Sequence, residues 1–259
     1  MNIISKERDI VLPFALVNGI IIISAEADGE AGHFIFDTGA MQTAVNQKYY
    51  PNISMESVEI VRYSEELADA SAGKGVLHRA VFDSFSVEEL PVVDMNLDYV
   101  EAPLSGFLPE LRLLGTLGID VLGRFRILLD YEHGKIVLNP TETICGYQTE
   151  LTMDELPIIE LTSSGKTHQF VLDTGANTCL IGMDVSEDFS LQATDQAGVY
   201  TIPRLALKEI QYDNILAVIT DMSPVRQKVA ADGIIGFQLL NSQRSCLDFE
   251  NGKLILENR

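Results

Sequence analysis

Two seven-residue stretches, Phe34-Ile35-Phe36-Asp37-Thr38-Gly39-Ala40 and Phe170-Val171-Leu172-Asp173-Thr174-Gly175-Ala176, stand 136 residues apart and match in pattern throughout. A repeat constrains a fold more than local propensity does, because two copies of one unit must bury equivalent faces. A second pair of motifs lies downstream, Leu117-Gly118-Ile119 and Ile235-Gly236-Phe237. Their register continues without a gap, so that Asp130-Tyr131-Glu132-His133-Gly134-Lys135-Ile136-Val137-Leu138 matches Asp248-Phe249-Glu250-Asn251-Gly252-Lys253-Leu254-Ile255-Leu256. The second half is shorter between its two motifs, a difference of the kind that falls in surface loops.

Each half therefore has one order of parts. A β-rich entry ends in Asp-Thr-Gly-Ala, and a second apolar strand follows (43–46; 179–182). After variable strands and loops, the apolar-Gly-apolar turn opens a short helical segment (119–125; 237–242). A hairpin then closes the half, with Gly134 or Gly252 supplying the turn. Val, Ile and Leu dominate the runs and helical periodicity is scarce, so the class is mainly β. Residues 1–138 and 156–259 are expected as the two lobes. Residues 139–155, with Pro140, Gly146 and scattered Thr and acidic residues, are expected as the linker.

Composition limits the partners. With 46% hydrophobic residues the chain can bury a substantial core. Thirty-eight acidic residues against 18 basic ones leave a formal charge of -20. Such a surface repels phosphate backbones and anionic lipid headgroups, which argues against nucleic acid and membrane partners and is compatible with neutral or cationic peptides. The three cysteines lack the spacing of a disulfide framework or a zinc site, which fits reduced thiols in the cytoplasm. No metal or other cofactor is expected, and His33, His78, His133 and His168 are scattered without metal-ligand spacing, as surface or turn residues would be. Lys6 and Arg8, the apolar stretch 10–24 and Ala25-Glu26-Ala27 have the form of a secretory leader, which stays open as an alternative. Glu7, Asp9 and Pro13 argue against it, and Asn18-Gly19 divides the stretch into two strands, 10–17 and 20–25.

Two Asp-Thr-Gly segments on a duplicated scaffold suit one chemistry. Like carboxylates about 3 Å apart cannot both ionise easily, so they share one proton. The ionised member can take a proton from water while the protonated member donates to a carbonyl oxygen. Asp37 and Asp173 are the candidates for such a pair, acting as a unit. Gly39 and Gly175 would permit close backbone approach, and Thr38 and Thr174 would hydrogen-bond across the junction. A lone Asp-Thr-Gly is a weak signal. Its recurrence in each half, followed each time by apolar-Gly-apolar, is a strong one.

These motifs, Asp37-Thr38-Gly39-Ala40, Asp173-Thr174-Gly175-Ala176, Leu117-Gly118 and Ile235-Gly236, resemble those of the retropepsin-like aspartyl proteases, bacterial members in particular. The resemblance covers about residues 10–138 and 156–256. It implies a two-lobed acid-protease-like β-barrel fold with pseudo-twofold symmetry and short helices, two retropepsin-like halves fused in one monomeric chain. It implies an aspartic endopeptidase acting on peptide or protein substrates, without cofactor, and a grip between lobes made by Thr38 and Thr174. It also implies substrate contacts at Ala40 and Ala176, and a flap near 70–75, with Gly73 and Gly75 at its tip and a shorter counterpart near 195–198. The chain departs from viral members at Met41 and Asn177, where an acidic residue is usual, and at Ile119 and Phe237, where Arg is frequent. Those departures leave a second reading, a peptide-binding protein of the same fold with little or no cleavage.

Overall fold

The computed structural model describes residues 9–27, 29–49, 55–56, 77–81, 85–87, 90–91, 96–100, 108 and 110–257. It is mainly β, with 52% of residues in strands against 10% in helices, and it contains a closed six-strand barrel.

The N-terminal stretch forms a hairpin, Ile10–Val17 with Ile20–Ala27. Its turn residues Asn18 and Gly19 both have positive φ, 51° and 82°, the geometry that an Asn-Gly pair favours between twisted strands. Ile20–Ala27 pairs with Glu30–Phe36, whose alternate residues Phe34 and Phe36 are fully buried. That strand lies parallel to Leu113–Leu117, every residue of which is buried. Leu113–Leu117 pairs antiparallel with Ala44–Asn46, which in turn lies parallel to Asn96–Val100.

The barrel belongs to the second half. Its strands run Leu156–Ser163, Lys166–Leu172, Gly233–Ile235, Cys179–Gly182, Ile210–Thr220 and Val199–Leu207, and the pairing of Thr162 with Ala206 closes the ring. Closure leaves these six strands with few free backbone groups to template aggregation. Lys166–Leu172 is parallel to Gly233–Ile235, which is antiparallel to Cys179–Gly182, itself parallel to Ile210–Thr220.

A further run of strands joins the two halves. It passes from Gly146–Glu150 through Lys253–Glu257, Ser245–Asp248, Arg126–Asp130 and Lys135–Leu138 to Ile10–Val17. The segment expected as a linker thus contributes the edge strand Gly146–Glu150, and also Thr152–Asp154, which pairs with the barrel. The closing hairpins turn at Gly134 and Gly252, with φ of 59° and 62°. One continuous apolar cluster includes Phe34, Phe36 and Leu117 from the first half and Phe170, Leu172 and Ile235 from the second. Three short helical turns, Ile119–Leu122, Ser223–Arg226 and Phe237–Leu240, complete the described elements besides two 3-10 segments.

Candidate active site

Each Asp-Thr-Gly leaves the end of a buried strand and is fixed there by its parallel neighbour. The Asp37 N–H donates to the Leu117 carbonyl at 3.0 Å, and the Asp173 N–H to that of Ile235 at 2.9 Å. The preceding residues Phe36 and Leu172 are wholly buried, so neither strand can slide without exposing apolar surface.

The two threonines meet at the junction. The Thr38 hydroxyl donates to the Leu172 carbonyl at 2.7 Å and accepts the Thr174 N–H at 3.0 Å. The Thr174 hydroxyl donates to the Phe36 carbonyl at 2.7 Å and accepts the Thr38 N–H at 3.0 Å. Both side chains have no exposed surface. Each hydroxyl serves as donor and acceptor at once, so six buried polar groups of the two halves satisfy one another through four hydrogen bonds.

Against this grip the glycines let the loops cross. A Cβ added at Gly39 would overlap the Asp173 carboxyl, and one at Gly175 would stand 2.7 Å from Asp37 Cγ. Each carboxyl therefore lies on the other loop's glycine, and the two carboxyls hydrogen-bond to each other. Gly39 and Ala40 donate their N–H groups to Asp37 Oδ1 at 2.8 and 3.0 Å, and Gly175 donates to Asp173 Oδ1 at 2.7 Å.

Both aspartates are half-buried, open on one side yet walled by protein. Burial is the largest influence on Asp37 and raises its pKa above the ordinary carboxylate value, opposed by the hydrogen bond with Asp173 and the N–H groups of Gly39 and Ala40. Asp173 is raised well above that value, by burial first and then by the charge of Asp37 and the hydrogen bond to it. Both shifts run upward, so one proton is retained between the carboxyls and belongs to the pair.

The carbonyls of Ala40 and Ala176, expected as substrate contacts, accept the N–H groups of Ile119 at 2.7 Å and Phe237 at 2.9 Å. These bonds tie each Asp loop to its apolar-Gly-apolar turn. Gly73 and Gly75, with the first flap, lie outside the described residues. Residues 195–198, expected as the shorter counterpart, form a turn ending at Gly198, φ 79°, between Gln192–Ala193 and Val199–Leu207.

Several contributors escaped the sequence reading. Thr43, fully buried, donates its N–H and hydroxyl to Asp120 Oδ1, both at 2.8 Å, and its hydroxyl accepts the Gly118 N–H at 2.9 Å. In the second half Gln238 instead brackets the Leu216 backbone, accepting its N–H and donating to its carbonyl, both at 2.8 Å. Arg126 and Arg244 each reach the other half's aspartate, Asp248 at 3.4 Å and Asp130 at 3.6 Å. Their repeated Arg-x-x-x-Asp spacing was visible in the sequence, although its cross-pairing was not. His168 is buried, not a surface residue, with its nitrogens 3.5 Å from Asp188 and 3.4 Å from Asp232. His133 sits in an exposed turn. Cys179 is wholly buried and burial raises its thiol pKa far above the usual range, which leaves it unreactive.

Among the described residues no group of three or more His, Cys, Asp and Glu could hold a metal ion, and no helix is long and apolar enough to cross a membrane. No model of a known protein family and no curated protein matches the chain.

Proposed function

We propose that the chain is an aspartic endopeptidase of retropepsin-like type, in which two lobes of acid-protease fold related by a pseudo-twofold axis share one active site. The observation that carries this reading is the hydrogen-bonded pair Asp37 and Asp173, each seated on the other's Gly and locked by the Thr38–Thr174 exchange.

In the proposed reaction a water molecule lies between the carboxyls and a peptide carbonyl. The ionised carboxyl of the pair takes a proton from that water as the water oxygen bonds to the carbonyl carbon. The protonated carboxyl gives its proton to the carbonyl oxygen, producing a neutral tetrahedral diol. The carboxyl that took the water proton then passes it to the amide nitrogen, while a diol hydroxyl gives its proton to the other carboxylate. The C–N bond breaks, amine and carboxylic acid leave, and the pair again holds one proton. Only water is consumed. The pair's apparent titration steps belong to both residues together. The free thiols fit the reducing cytoplasm that we propose as its compartment.

Asn substitution at either Asp tests the reading. Wild-type protein is expected to cleave members of a peptide library at acidic to neutral pH. Asp37→Asn and Asp173→Asn should each lose about 10²–10⁴-fold in rate. Unchanged cleavage by both variants would remove the pair from the mechanism.

A second reading has its own support. Phe237, where viral retropepsins often carry Arg, packs in an aromatic cluster, and exposed Asn177 stands where they usually have an acidic residue. A site without those groups could bind extended peptides and release them uncut. Saturable peptide binding with no cleavage by the wild type would select it.

A further inference from the structure

Tyr131 opens the hairpin that closes the first half, immediately after buried Asp130. Its ring meets Phe14 edge-on, with centroids 5.6 Å apart, and Phe237 in the same manner at 5.8 Å. Phe237 belongs to the second half and is part of the support for Asp173. Its N–H donates to the Ala176 carbonyl at 2.9 Å, and the preceding Gly236 is pressed so closely on the Asp173 carbonyl that a Cβ would overlap it. Tyr131 thus reaches from one half to the loop that holds the other half's aspartate.

The phenol oxygen is buried and has no hydrogen-bond partner. A buried hydroxyl without a partner destabilises a fold, and aromatic packing alone does not require one. At the matching place in the second half the chain uses Phe249, which supplies a ring without the hydroxyl. Burial pushes the phenol above its ordinary range, and the negative charge of Asp173 pushes it further. Of the charged groups of its own hairpin, Asp130 engages His133 and Lys135, Glu132 is exposed, and Arg244 lies against Asp130. The phenol is therefore left without a direct partner beside the loop that holds Asp173.

We propose that Tyr131 is a positioning residue for the Asp173 side of the carboxyl pair, its hydroxyl donating toward that carboxyl through bound water. A water with two or more polar partners is an ordinary component of protein interiors, and the unpartnered hydroxyl would be one such partner. Such a donor makes the environments of the two aspartates unequal, because no hydroxyl stands at Phe249. The inference rests on the carboxyl-pair reading of the preceding subsection.

The experiment follows the side-chain carboxyl carbons of Asp37 and Asp173 by NMR against pH in the intact protein and in Tyr131→Phe. The substitution keeps the ring, and thermal unfolding of both proteins verifies that packing is retained. A donor favours the ionised carboxyl, so its removal should move the pair's upper titration step up by about half a unit to one unit. Identical titrations in the two proteins would overturn the role of Tyr131 while leaving the pair intact. Wild-type carboxyls that titrate independently at ordinary values would overturn both the pair and this inference. Peptide cleavage should show the same displacement in the upper limb of its pH profile.

Discussion

The Thr38 hydroxyl bonds to two groups of the opposite half, so replacing it leaves both without a partner. Thr38→Val preserves the shape but strands the Leu172 carbonyl and the Thr174 N–H in a buried site. Each orphaned group costs about 1–3 kcal/mol, so urea unfolding should show a loss of about 2–6 kcal/mol, largely restored in Thr38→Ser. The glycines obey a different limit. Gly39→Ala would drive a methyl into a side chain, the Asp173 carboxyl, which can turn aside at the expense of the proposed cleavage. Gly236→Ala would drive it into the Asp173 main chain, which cannot. Cleavage should therefore fall in a still-folded Gly39→Ala, whereas Gly236→Ala should unfold at markedly lower urea. The carboxyls themselves give a pH signature. Asp173 has a folded pKa raised above its unfolded value, so the stability it contributes is present below the unfolded pKa and is lost as pH rises through the folded one. Asp173→Asn should consequently melt higher than wild type near neutral pH, with the advantage disappearing in acid.

The closing hairpins are where the two halves become one piece of β-sheet. Arg126–Asp130 pairs with Ser245–Asp248 in antiparallel register, placing Arg126 opposite Asp248. Asp130 is 1% exposed; burial opposes its ionisation, but His133, through side-chain and backbone hydrogen bonds, and Lys135 outweigh that and hold its pKa below the ordinary value. The sign is opposite to that of Asp173. Stability from Asp130 is present above the unfolded pKa and is lost as pH falls through the depressed folded one. Asp130→Asn should thus be less stable than wild type near neutral pH by about 1–3 kcal/mol, and the difference should vanish in strong acid. Much of this framework was legible beforehand, because backbone crossings impose local rules. Only glycine fits at Gly118 and Gly236, and Asn18-Gly19 marks its own turn. The rest was hidden for physical reasons. Thr43 with Asp120 and Gln238 with Leu216 brace matching turns by different chemistry, so no repeat marks them. Gly146–Glu150 has the polar, half-exposed surface of an edge strand, which resembles a loop in composition. Burial of His168 follows from which strands neighbour it, and its sequence context carries no sign of that.

Because one chain supplies Asp37 and Asp173, the proposed enzyme needs no second copy. The two halves are held by the Thr38–Thr174 exchange, the strand pairing at Leu129 and Ser245, and a common apolar cluster. These contacts are intramolecular, so their effective concentration is set by the chain and does not fall on dilution. A site assembled between separate chains behaves otherwise, since its active fraction decreases once the protein is diluted below the dissociation constant. Specific cleavage activity should therefore stay constant as enzyme is diluted from micromolar to low nanomolar, with sedimentation giving a single species of one chain's mass. A rate falling with the square of enzyme concentration, together with a species of twice that mass, would place the working carboxyl pair between molecules and overturn the single-chain arrangement.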